Sequence, residues 1–191
     1  MNLTLPAQPP YPRAVIVIVM GVSGAGKTTI GQRLAERLGW EFRDGDDFHP
    51  ASNVAKMRSG TPLTDEDRRP WLLAIQDYMR REEAAGRSAV IACSALKASY
   101  RQILLSDEPW VRFVFLNGSR ELIAGRIGGR HGHFMPAALL DSQFSALEPP
   151  ADALHADVEG SPEEIVSSLL SRLPVSAPQP AATPAPTARD R

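Results

Sequence analysis

The sequence predicts an α/β domain, with a parallel five-stranded sheet covered by helices on both faces. Three observations carry this. The run "AVIVIVM" (Ala14 to Met20) is continuous, apolar and β-branched, as in a strand buried on both faces. A glycine-rich turn leads from it straight into a segment of helical spacing. Later apolar runs, "AVIAC" and "VRFVFL", alternate with helical segments, the order that builds a parallel sheet.

The elements follow in turn. From Thr28, the residues Ile30, Leu34 and Leu38 recur at helical spacing and Gly39 supplies a stop signal. A short strand around "WEF" runs into the acidic stretch "DGDDFHP" (Asp44 to Pro50). Trp71, Leu72, Ile75, Tyr78 and Met79 then mark a longer helix, whose expected start is Pro70. "AVIAC" and "VRFVFL" give two more strands, and a fifth precedes "DVEGSP" (Asp157 to Pro162). Ser161, Pro162 and Glu164 form a capping box ahead of Ile165, Val166, Leu169 and Leu170, so a last helix is expected there. Residues 1–13 and the Pro/Ala-rich end, 174–191, bury too little apolar surface to offset their ordering entropy, so both are expected to be disordered.

A chain of 191 residues with 43% hydrophobic content suits one domain. A formal net charge of -1 gives no general attraction to nucleic acid or an anionic membrane, which directs attention to a small-molecule site. The single Cys93 excludes an internal disulfide framework; at the end of a buried strand it reads as core packing rather than a reactive thiol. No apolar run is long enough to span a membrane and the opening residues do not read as a signal peptide, so a cytoplasmic protein is expected. Of 21 Lys and Arg, only Lys27, Lys56 and Lys97 are lysines. Base composition explains the dominance of arginine, but a retained lysine marks a position where a compact ammonium differs from a planar guanidinium.

"GVSGAGKT", Gly21 to Thr28, fits G-x-x-x-x-G-K-[ST] between a strand and a helix, the context that makes the motif a phosphate loop. The backbone amides of Gly21, Val22, Ser23, Gly24, Ala25, Gly26, Lys27, Thr28 and Thr29 would surround phosphate oxygens at a helix N-terminus. Lys27 would reach the β- and γ-phosphates and the Thr28 hydroxyl would bind Mg²⁺. The loop implies a nucleoside triphosphate without saying whether the protein is a switch, a motor or a kinase. No N-K-x-D signature for guanine is present, and "VIACSALK" ends the third strand in Cys93 and Ser94 rather than an Asp. The missing acid must come from elsewhere, and "DGDDFHP" is the nearest supply. In an extended segment Asp44 and Asp46 face one way and Asp47 the other. Asp44 is therefore expected toward Mg²⁺, and Asp46 toward an acceptor hydroxyl as general base. His49 reads as a turn or packing residue.

Together, "GVSGAGKTT", "DGDDFHPASNVAKMRSGTPLTDEDRRPWL", "CSALKASYR", "GHFM" and "SQFSALEPP" resemble the gluconokinases of the shikimate-kinase-like group of P-loop small-molecule kinases. The likeness covers roughly residues 14–173, and the segments after Asp44 are more specific than the loop. It implies a three-layer P-loop kinase fold with a helical substrate-binding insertion (about 48–86) and a lid (about 126–137). The implied reaction is ATP- and Mg²⁺-dependent phosphorylation of D-gluconate at its 6-hydroxyl, and the likeness also implies a homodimer. An anionic polyol needs a cation for its carboxylate and donors and acceptors for its hydroxyls. Candidates are Lys56, Asp65, Arg68, Ser94, Lys97 and Arg101. Thr64 with Asp67 also reads as a helix cap. In the lid, Arg126 and Arg130 sit among glycines, with Arg130 preferred as the catalytic arginine over the transferred phosphoryl group. His131 and His133 lack a third ligand for a metal, and His133 suits a hydrogen bond to substrate or to the closed lid. "DVEGSP" is the loop expected against adenine. The competing readings are a kinase for another small acid such as shikimate, and a nucleotide-binding switch.

Overall fold

The computed structural model describes residues 14–105, 107–128 and 137–175. Strand β1 (Ile16–Met20) lies at the centre of a five-stranded sheet of order β2-β3-β1-β4-β5, with β2 (Glu41–Asp44), β3 (Ala89–Ala92), β4 (Val111–Asn117) and β5 (Leu154–Asp157). Every neighbouring pair is parallel, with Val19 opposite Ala92 on one side and Met20 opposite Phe115 on the other.

The unbroken apolar run of β1 serves two cores at once. Val17 and Val19 enter a cluster with Ile30 and Leu34 of α1 (Lys27–Leu38) and with Ile165 and Leu169 of α7 (Pro162–Arg172). Ile16, Ile18 and Met20 enter the opposite cluster with Trp71, Leu72, Ile75 and Met79 of α3 (Asp65–Ala84). Side chains alternate with period two, so a strand between two helical layers must be apolar at every position. The expected three layers are present.

Local signals set most boundaries. Gly39 takes the left-handed conformation, φ 67°, and its N–H closes α1 on the carbonyls of Ala35 and Glu36. Ser161 and Glu164 form the expected capping box of α7. The start of α3 corrects the expectation at Pro70: the helix begins at Asp65, and Pro70 lies inside it. Thr64 and Asp67 form a reciprocal capping box that starts the helix earlier. An interior Pro costs about 3 kcal/mol, while burying a large apolar side chain returns roughly 1.5–3 kcal/mol. With Trp71, Leu72, Ile75, Tyr78 and Met79 all buried, the helix carries through.

Helices α2 (Ala51–Arg58) and α3 lie within the 48–86 segment, after β2. α4 (Ala98–Ile103) follows β3, and α5 (Arg120–Gly128) and α6 (Ala137–Ala146) stand between β4 and β5. Of the expected lid, residues 129–136 lie outside the described residues, as do 1–13 and 176–191. Among the described residues no helix is long and apolar enough to cross a membrane.

Candidate active site

The carboxyl ends of β1, β2 and β3 meet on one edge of the sheet, where open α/β sheets bind ligands. The glycine-rich loop leaves β1 there. Gly24 has φ 82° and packs so tightly that an added Cβ would stand 2.6 Å from Ile127 of α5. Gly26 has φ 99° and is the residue before α1. Val22 and Ala25 turn into the core, while Ser23, Gly24, Gly26, Lys27, Thr28 and Thr29 line a cavity of about 650 Å³. Lys27 Nζ donates to the Val22 carbonyl at 3.1 Å, folded over the loop it serves.

Asp44 and Asp46 also line this cavity, by a route that corrects the extended-segment expectation. β2 ends at Asp44, and Gly45–Phe48 form a 3-10 helix. Asp44 Oδ1 accepts the Asp46 N–H at 3.1 Å, which caps this turn and bends the chain. Its other oxygen accepts the Thr28 hydroxyl at 3.0 Å, joining the acid to the phosphate loop. Asp46 is open to the cavity, yet desolvation by the surrounding protein and then the charge of Asp44 raise its carboxyl pKa above the usual range. Asp47 is exposed and does not line this cavity. Gly45 is packed so closely that a Cβ would lie 2.6 Å from the Ala92 carbonyl oxygen, and its own carbonyl accepts Trp71 Nε1–H at 2.6 Å.

His49 also reaches the cavity. Its ring stacks on Trp71 at 4.3 Å, Nδ1 lies 3.3 Å from Asn53 Nδ2, and Nε2 lies 4.0 Å from Asp46. Burial holds its pKa below the ordinary histidine value, against the opposing charge of Asp46.

A second cavity of about 570 Å³ adjoins the first, sharing Met57, Leu63, Arg68, Ser94 and Gln143 with it. Asp65 anchors its wall: it accepts from Lys97 Nζ at 2.8 and 2.7 Å and from the Tyr100 hydroxyl at 2.5 Å. Arg68 donates to the Leu63 carbonyl at 2.5 Å and stands 4.0 Å from Asp65. A third cavity of about 400 Å³ lies on the far side of the loop, lined by Thr29, Arg126, Gly160 and Pro162 among others. Arg126 is held there by a hydrogen bond to the Val158 carbonyl.

Of the expected acceptor-site cations, the structure brings Arg68 and Lys97 together and sets two others elsewhere. Lys56 pairs with Asp67 at 2.6 Å, bracing the cap of α3, and lines neither cavity. Arg101 is buried and donates to the carbonyls of Ala95 and Leu96, both at 3.1 Å. There it holds a turn in which Ala95 has the strained φ of 42°. Two of the three lysines therefore reach the site. Arg130, His131 and His133 lie outside the described residues. Tyr100 and Gln143, for which the sequence alone gives no role, line the cavities, as does Trp71, expected only as a helix-face residue. Tyr100 and Gln143 fall within "CSALKASYR" and "SQFSALEPP", which were the available signals.

The donor set at Thr28 and Asp44 is all oxygen, which suits a hard cation such as Mg²⁺. Among the described residues no group of three or more His, Cys, Asp or Glu could enclose a metal.

The chain matches the family model described as Shikimate kinase over residues 23–173. It is 49% identical over 152 residues to the probable gluconokinase of Xenopus tropicalis, covering 72% of this chain and 80% of that protein. It is 47% identical over 157 residues to the gluconokinase of Gluconobacter oxydans, covering 81% and 88%. Among solved structures, a gluconokinase from Sinorhizobium meliloti 1021 superposes with TM-score 0.74 at 44% identity, covering 84% of this chain and 91% of that one.

Proposed function

This chain belongs to the gluconokinase family within the shikimate-kinase-like group, and on that premise we propose that it catalyses ATP-dependent phosphorylation of D-gluconate. The observation that carries the reading is that two cavities adjoin and share Arg68, Ser94 and Gln143. The phosphate loop and Asp46 line the first, and the second, lined by Asp65, Arg68 and Lys97, opens directly onto it.

The transfer follows from what each group can do. The loop amides and Lys27 hold the phosphates of ATP, and the third cavity, with Arg126, Gly160 and Pro162, takes the adenine end. Thr28 and Asp44 would hold Mg²⁺, whose charge when bound offsets the charge on the phosphate oxygens. Arg68 supplies the positive charge that a sugar-acid carboxylate needs, and Asp65, Lys97 and Tyr100 present donors and acceptors to its hydroxyls. The far hydroxyl of that polyol then lies toward Asp46, which takes its proton as the oxygen attacks the γ-phosphate. Phosphoryl transfer needs positioning and charge compensation more than covalent chemistry from the protein, and these residues supply both. The expected products are 6-phospho-D-gluconate and ADP.

Product analysis tests this. Protein incubated with ATP, Mg²⁺ and gluconate is expected to give one phosphomonoester, located at C6 by phosphorus–carbon coupling in NMR. Phosphorylation at another carbon would overturn the placement of the acceptor, and its complete absence would overturn the reading.

A further inference from the structure

Gln143 of α6 joins parts of the site that come from distant stretches of sequence. Its Oε1 accepts a hydrogen bond from the Ser23 N–H of the phosphate loop at 2.6 Å, across 120 positions. The same residue lines both the phosphate cavity and the acceptor pocket. Its helix is seated by other means: Arg120 pairs with Asp141 at 2.6 Å and Leu140 is buried. Just beyond α6, Glu148 accepts the Ala98 N–H at 2.7 Å, and its own N–H donates to the Leu96 carbonyl at 2.9 Å. These two bonds tie the segment to the loop that carries Lys97.

The Ser23 N–H belongs to the loop whose amides are expected to face phosphate oxygens, and Ser23 lines the phosphate cavity; a single N–H gives its full strength to one acceptor. A phosphate oxygen and the Gln143 carbonyl therefore compete for it. Building on the kinase reading above, we propose that Gln143 is a positioning residue that couples the two substrates. When phosphate takes the Ser23 N–H, the carboxamide is released. With two donors and one acceptor group, it turns to the hydroxyls of the sugar acid in the adjoining pocket. Each substrate then strengthens binding of the other by the same factor, as linkage requires. The bond acts as a latch between nucleotide and acceptor, and α6 keeps it within reach of both.

Binding rather than turnover tests this, using the full chain, Mg²⁺, the non-hydrolysable analogue AMP-PNP and gluconate in a calorimeter. In the wild type, each ligand is expected to tighten the other several-fold. Gln143→Met keeps side-chain length and removes the carbonyl. The coupling factor should fall to about one while AMP-PNP alone binds at least as tightly as before; retained coupling would overturn the proposal. Gln143→Glu keeps an acceptor for Ser23, so a purely structural role would be preserved. Its carboxylate should hold the N–H more strongly and weaken AMP-PNP binding by about tenfold. Equal affinity in Gln143→Glu and wild type would also contradict the latch. Failure of the kinase reading would show separately, as wild-type protein that forms no phosphogluconate. The AMP-PNP affinities need no acceptor, so they judge the latch either way.

Discussion

Replacing Asp46 with Asn keeps the side chain's size and removes the group proposed to receive the acceptor's proton. Turnover is expected to fall by roughly 10²-fold or more with ATP binding retained; near-normal turnover in Asp46→Asn would take the base role from it. The pH dependence follows from the raised pKa of this carboxylate, caused first by desolvation and then by Asp44. A base works deprotonated, so kcat/KM, which reports the free enzyme, should be full above that pKa and decline as pH falls through it. The decline should begin above the range of an ordinary Asp. A profile flat down to pH 4 would contradict the assignment. At Lys97, two short bonds to Asp65 beside Tyr100 suit a compact ammonium, and a planar guanidinium would not reproduce their geometry. Lys97→Arg should lower kcat/KM for gluconate by about tenfold while the KM for ATP is unchanged. Equal activity would reduce the lysine pattern to composition. Cys93 is inert by contrast, its thiol pushed up to about 12 by burial.

At the scale of elements, two short signals place the site. The Thr64–Asp67 box starts α3 and brings Asp65, Arg68 and Trp71 to the cavities. Thr64→Ala should cost about 1 kcal/mol in urea unfolding. Asp67 is held at about 2 against an ordinary 3.8, first by Lys56 and then by the Thr64 N–H. A depressed folded pKa gives stability that is complete above the unfolded value and is lost as pH falls through the folded one. The wild type should therefore lose stability between about pH 4 and pH 2 more steeply than Asp67→Asn, and parallel acid titrations of the two would contradict this. Gly45 is the other signal. Its missing Cβ leaves room for the Ala92 carbonyl, so Gly45→Ala must shift the turn that aims Asp44 and Asp46. Activity should fall far more than stability; a variant with normal kcat would show that the turn tolerates the shift.

Across the whole molecule, the sheet was legible because β1 must be apolar on both faces, and the glycine loop because its residues are contiguous. Asp44 and Asp46 meet one cavity through a capped 3-10 turn, not the extended segment that period-two alternation implies. The start of α3 was misplaced because Pro70 is a strong local signal, overruled by a capping box and a buried face. Tyr100 and Gln143 were hidden, and Trp71 was legible only as a helix-face residue, since only packing between distant segments brings them to the cavities. Lys56 and Arg101 show the converse, charges near the site in sequence that the fold spends on a cap and a buried turn. The central claim is that the two joined cavities form one transfer site for a sugar acid. Its most direct test is ADP release from ATP and Mg²⁺ with gluconate, shikimate, AMP or water as the acceptor. The structure predicts a high rate with gluconate alone and water-level rates with the others. A gluconate rate no faster than water would contradict it.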